Sequence, residues 1–211
     1  MWFSVGIAAL TGVAFIASDG PSAADITRHM RQKLEKVNAL SADFSIIARL
    51  APMEQVRELS GRLLLMKKQN KVRLEQSDQT VVSDGKSVWT YIPANKQIIV
   101  TPMEQATVGM RPDEFLFYYT ERYTHTLIGQ ETVDGVPLYA LKLTANDALA
   151  PLPEIHLWVD GRQWLTRKVV YRDEAGSETT IWFSNIRLNP ALSSDAFTMA
   201  IPEGVEVVDL R

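Results

Sequence analysis

Between Asp25 and Leu40 the apolar residues fall at Ile26, Met30, Leu34, Val37 and Leu40, the spacing of one face of an amphipathic helix. Asp25 suits the N-cap of that helix, and Arg31, Lys33 and Lys36 lie off the stripe. The period then drops to two. Ala42, Phe44, Ile46, Ala48 and Leu50 alternate with Asp43, Ser45 and Arg49, which predicts a long strand. Ala51-Pro52-Met53-Glu54 predicts a turn, and a second strand follows from about Val56 to Met66. This second strand ends in Leu63-Leu64-Leu65-Met66, apolar on both faces, before Lys67-Lys68-Gln69-Asn70 breaks the run.

Strands and turns continue to the C-terminus. Asp84-Gly85, Asp134-Gly135 and Asp160-Gly161 are each flanked by apolar alternation, a strong short-range signal for a hairpin. Pro93-Ala94-Asn95 and Asp173-Glu174-Ala175-Gly176 predict further turns, and long strands are predicted over Leu165–Arg172 and Ser177–Leu188. A short aromatic helix opens at Pro112-Asp113-Glu114, and Ser193–Phe197 reads as one helical turn. About eleven strands in one sheet must curl or close. The expected fold class is therefore α+β: a single large curled antiparallel sheet, an unclosed β-barrel, with a helical lid over an apolar cavity.

The first residues follow a different pattern. Val5 to Ala17 is a 13-residue apolar stretch, followed by Ser18-Asp19-Gly20-Pro21 and then the small residues Ser22-Ala23-Ala24. This predicts a secretory signal peptide over 1–24 and one mature domain over 25–211. No Lys or Arg precedes the stretch, which leaves the true start codon open.

Composition narrows the function classes. The chain has 211 residues, 46% hydrophobic and 22% charged, enough for one full core. The net charge is −3, and removal of residues 1–24 takes away only Asp19, leaving −2. No basic run exceeds two residues, so nucleic acid is not expected as a partner. The absence of cysteine excludes disulfides and thiol chemistry. His29, His125 and His156 are far apart, with no metal-ligand spacing. There is no nucleophile elbow, phosphate loop or zinc-protease helix. Neither an enzyme nor a metal or other cofactor is expected. The positive signal is apolar: several strands carry large side chains on both faces, as Trp89 and Tyr91 do opposite Val88. Either the sheet is simply packed on both sides, or its inner wall is a lidded cavity for something apolar.

The order of several segments resembles the LolA family of periplasmic lipoprotein carriers. They are Ser41-Ala42-Asp43-Phe44-Ser45, Gly61-Arg62-Leu63, Ser83 to Tyr91 (SDGKSVWTY) and Pro202-Glu203-Gly204-Val205, while Leu157-Trp158-Val159-Asp160 through Thr180 to Asn185 (TIWFSN) is similar to the wider LolA-like lipoprotein-sorting group. The resemblance implies a periplasmic, monomeric carrier. It would take a triacylated lipoprotein from an inner-membrane ABC transporter and pass it to an outer-membrane acceptor. On this basis the cavity wall is expected to include Phe44, Ile46, Leu63, Leu65, Trp89 and Tyr91, with Met30, Leu34, Phe115 and Phe117 in the lid. In well-known members the turn after the second strand reads Lys-Arg-Pro-Asn, and its arginine holds the lid closed. Here it reads Lys67-Lys68-Gln69-Asn70, which makes Lys68 the nearest candidate latch. Lysine lacks the planar fork of arginine, and two exposed turn lysines are an equal reading. The alternative function is a LolA-like lipid-binding or envelope-sensing module with a different lipid cargo.

Overall fold

The computed structural model describes residues 20–53, 55–105, 116, 122–133, 135–148, 150 and 152–211. Among them are one α-helix, α1 (Ala23–Glu35), and twelve strands. The strands are β1 (Ala39–Leu50), β2 (Gln55–Met66), β3 (Lys71–Gln76), β4 (Thr80–Asp84), β5 (Ser87–Ile92), β6 (Gln97–Pro102), β7 (Tyr123–Val133), β8 (Val136–Ala145), β9 (Glu154–Asp160), β10 (Thr166–Arg172), β11 (Glu178–Leu188) and β12 (Glu206–Asp209). All twelve form one sheet in the order β12-β6-β5-β4-β3-β2-β1-β11-β10-β9-β8-β7. Two meanders, β2 to β6 and β7 to β11, are joined through β1. The ends, β12 and β7, do not pair, so the sheet is unclosed.

The predicted hairpins are present, with Gly85, Gly135 and Gly176 at positive φ where the chain turns back. The fold adds one short strand to the expected number. β12 lies parallel to β6 (Val207 opposite Ile98), the one parallel pairing among the described strands.

Two details of α1 differ from the sequence reading. Its N-cap is Ser22, not Asp25. The Ser22 hydroxyl accepts the Asp25 amide, and the Asp25 carboxylate accepts the Ser22 amide in return, a capping box. The Ser22 hydroxyl and amide, with Arg28 beside them, hold the Asp25 carboxyl down at about 2. The helix also stops at Glu35 rather than running to Leu40. The backbone beyond it is claimed by the sheet: Asn189 Oδ1 accepts the amides of Asn38 and Ala39, and the Lys67 amide donates to Asn38 O.

Register assigns the faces. Cross-strand partners share a face, so Leu40, Ala42, Phe44 and Ile46 of β1 lie beside Leu65, Leu63, Gly61 and Leu59 of β2. On the other side of β1, Phe183 and Ile181 sit opposite Phe44 and Ile46. A bulge in β11 at Asn185 (φ +49) shifts the alternation, so that Ile186 and Leu188 also pack on the core. Its amide donates to Asp43, which also accepts from Arg62; the two bonds, Asn185 first, lower the Asp43 pKa. Ile26 and Met30 of α1, with Val37 just beyond it, complete the core on this inner face.

Gly61 is needed at a close approach. A Cβ there would overlap the Glu75 carbonyl and lie 2.7 Å from the Phe44 ring, which occupies the space above it.

Candidate lipid-binding site

The inner face is a continuous apolar wall. Leu63, Leu65, Val72, Leu74, Leu141, Leu157 and Phe183 are each at most 6% exposed. In the order of the sheet it runs from β5 to β8, because the pairings set the apolar positions of these strands on one side. Burial pushes the Tyr171 phenol above its ordinary value, the mark of a weakly polar surrounding. Among the described residues no three His, Cys, Asp or Glu side chains gather as a metal site.

Four of the six residues predicted for the cavity wall share this face: Phe44, Ile46, Leu63 and Leu65. Ile46 is only half-buried, towards the β1–β2 tip, whereas the other three are buried. Trp89 and Tyr91 are on the opposite face, and this corrects the sequence reading. The pairings Leu63–Leu74, Leu74–Val81 and Val81–Thr90 carry the inner face to Thr90 and Val88, so Trp89 and Tyr91 point outward with Val82 and Thr80. The alternation within β5 agrees with the sequence reading; its phase relative to β2 differs.

The wall is covered by α1. Met30 is 1% exposed and Leu34 6%, so both predicted lid residues of the helix are buried. Phe115 and Phe117 lie outside the described residues, but Leu116 between them is buried in the same cluster. Among the described residues, side chains reach the helix from two directions. At its C-terminal end Lys67 Nζ donates to Leu34 O at 3.3 Å, where the carbonyl end of the helix dipole favours a cation. Lys68, the predicted latch, is exposed, so the lysine that reaches the helix is its neighbour.

In the other direction His29 stacks on Trp164, ring centroids 4.4 Å apart, and Trp164 stacks on Tyr139. Trp164 has φ +58, a strained conformation for a bulky residue. The β9–β10 turn holds it there. The Asp160 carboxylate accepts the amides of Arg162 and Gln163, both at 2.8 Å, and Asp160 O accepts the Trp164 amide at 2.7 Å. Sequence reasoning missed Lys67, His29 and Trp164. Asp160-Gly161 marked the turn, but nothing in the alternation says what its fourth residue touches.

Comparison with known proteins agrees with this geometry. The family profile described as Outer membrane lipoprotein carrier protein LolA matches residues 35–200. An outer-membrane lipoprotein carrier protein of Azotobacter vinelandii is 26% identical over 205 residues, covering 94% of this chain and 95% of its own. An uncharacterised protein of Methanocaldococcus jannaschii is 25% identical over 94% of this chain, which spans only 58% of that relative's length. Among solved structures, an uncharacterised conserved protein from Thermus thermophilus superposes with TM-score 0.58 at 15% identity, over 89% of this chain and 98% of that one. Mycobacterium tuberculosis lipoprotein LppX gives TM-score 0.51 at 8% identity, over 79% and 95%. These two likenesses concern the fold. With the profile spanning most of the sequence, the chain belongs to the LolA family of outer membrane lipoprotein carrier proteins.

Proposed function

We propose that this protein is a periplasmic carrier that shields the acyl chains of lipoproteins on the inner face of its sheet during passage between two membranes. The observation that carries this reading is the apolar wall covered by α1, with Leu116 buried in the same cluster. A carrier must release its own cover when cargo arrives, and the energies allow it. Ile26 and Met30 of α1 are buried in the cluster of the wall, and Leu34 is buried near the end of the helix. At ~1.5–3 kcal/mol each these three contribute ~4.5–9 kcal/mol. An acyl chain of about fifteen methylenes gains roughly 12 kcal/mol on leaving water. Even one acyl chain can therefore displace the helix, a triacylated cargo does so with a surplus, and affinities graded between donor, carrier and acceptor set the direction. The lipoprotein-releasing ABC transporter as donor and an outer-membrane acceptor are part of this proposal.

The test is incubation with a triacylated lipoprotein followed by size-exclusion chromatography. Co-elution that is lost on Ile46→Glu, with the variant still folded by circular dichroism, is the expected result. Co-elution unaffected by Ile46→Glu would remove the inner face from the mechanism. Capture of a free phospholipid or glycolipid in place of lipoprotein would favour the module with a different cargo.

A further inference from the structure

On the outer face, the pairings between β9, β10 and β11 set Trp158, Lys168 and Trp182 in one row across three adjacent strands. Lys168 Nζ lies 4.2 Å from the Trp158 ring centroid and 4.7 Å from that of Trp182. Trp182 is 39% exposed, and Trp158 and Lys168 are half-buried. One step along the strands the same face carries Val170 and Ile47, and Val56, near the β1–β2 tip, is 52% exposed.

The charges on this face are unevenly satisfied. Glu154 is engaged by His156 and Lys142, and Glu178 by Arg172 and Arg49. Lys168 has no carboxylate within ion-pair reach among the described residues. Its ammonium is held by two indoles, an arrangement that keeps the positive charge at the surface and available. Indoles beside an uncompensated ammonium match the boundary of an anionic bilayer. Tryptophan favours the headgroup layer, and lysine is drawn to the negative surface.

We propose that this face docks on the anionic headgroup surface of a bilayer, with Trp158 and Trp182 entering the headgroup layer and Lys168 facing lipid phosphate between them. This rests on the carrier reading, since a protein that collects and delivers acyl chains works at membrane surfaces. The docking face and the acyl-binding wall are on opposite sides of the sheet, so the two can fail separately.

The experiment is co-sedimentation of the full chain with vesicles of phosphatidylglycerol and phosphatidylethanolamine, and with vesicles of phosphatidylcholine alone. Binding is expected to the anionic vesicles, and to weaken when NaCl rises from about 0.1 to about 0.5 M. Lys168→Ser should weaken it about fivefold, and Lys168→Arg should restore it. The double change Trp158→Ser, Trp182→Ser should weaken it by more than tenfold. In all of these variants uptake of an apolar dye by the inner wall should stay as in the parent. Equal binding to both vesicle types, no binding by the parent, or Lys168→Ser binding like the parent would each overturn the proposal. So would self-association abolished by the double change without vesicle binding, which would assign the face to a second copy. Loss of dye uptake in the parent with vesicle binding intact would instead break the carrier reading alone.

Discussion

Phe197 and Trp182 lie on the same side of one sheet, yet Phe197 is 2% exposed and Trp182 39%. The difference comes from what the chain lays over each half. The 3-10 turn Ser194–Phe197 packs on β3 and β4, and Arg73 of β3 donates to the carbonyls of Ala196 and Thr198. Val82, Ile98 and Val100 share that outer face and are at most 1% exposed, a second small core outside the main one. Over β9 to β11 the outer residues at the centre are instead two indoles and a lysine. One half of the sheet is therefore packed on both sides, and the other is packed within and presented without. This also explains the run Leu63-Leu64-Leu65-Met66. Leu63 and Leu65 build the inner wall, while Leu64 is half-buried on the outer face opposite Arg73, at the border of the covered half.

The contrast can be broken most strongly at Phe197. Phe197→Ala should cost about 3–5 kcal/mol in urea unfolding, as for any large buried aromatic side chain. A loss near zero would mean that the C-terminal segment only rests on the sheet. Gly61→Ala, in the strand that borders the two halves, should cost about 1–3 kcal/mol or more, because the added methyl overlaps the Glu75 carbonyl of the paired strand and crowds Phe44; the same urea titration reads it. Arg73→Met should cost about 1–3 kcal/mol and speed limited proteolysis of the C-terminal segment, since two carbonyls lose a charged donor. Trp182→Ala, on the more exposed half, should cost about 1–2 kcal/mol, which sharpens the contrast with Phe197.

The smallest effect is expected at the bulge that aligns β1 with β11. Asn185 and Arg62 hold the Asp43 carboxyl below its ordinary value of 3.8. The stability it contributes is present above that value and is lost as pH falls through the lower folded value. Asp43→Asn should therefore lower the urea midpoint at about pH 7 and narrow its difference from the parent at about pH 3. An unchanged gap at both pH values would mean the bulge does not depend on this carboxylate.

Much of the fold was legible in the sequence because its signals are local. The helix stripe Ile26-Met30-Leu34, the hairpin turns at Gly85, Gly135 and Gly176, and the alternation along β1, β10 and β11 each depend on neighbours a few residues away. The face of Trp89 is not legible in the sequence, for the opposite reason. Its phase relative to Leu63 depends on three consecutive turns, at 67–70, 77–79 and 85–86, and one residue's change in any of them reverses the face. Asn185 shows the same effect inside a strand, where a single left-handed residue exchanges odd positions for even ones.

What could be read from the residues alone is a chain of strands with apolar alternation, an amphipathic helix over 26–34 and an apolar face for it to cover. These follow from backbone geometry, which repeats every two or 3.6 residues whatever lies across from it. Folding was needed to fix which aromatic residues face inward, that Lys67 rather than Lys68 meets the end of α1, and that Phe197 is covered on the outer face while Trp182 is left 39% exposed. Those are properties of register and of contacts between residues far apart in the chain, where a displacement of one position reverses a face and a local pattern carries no record of it.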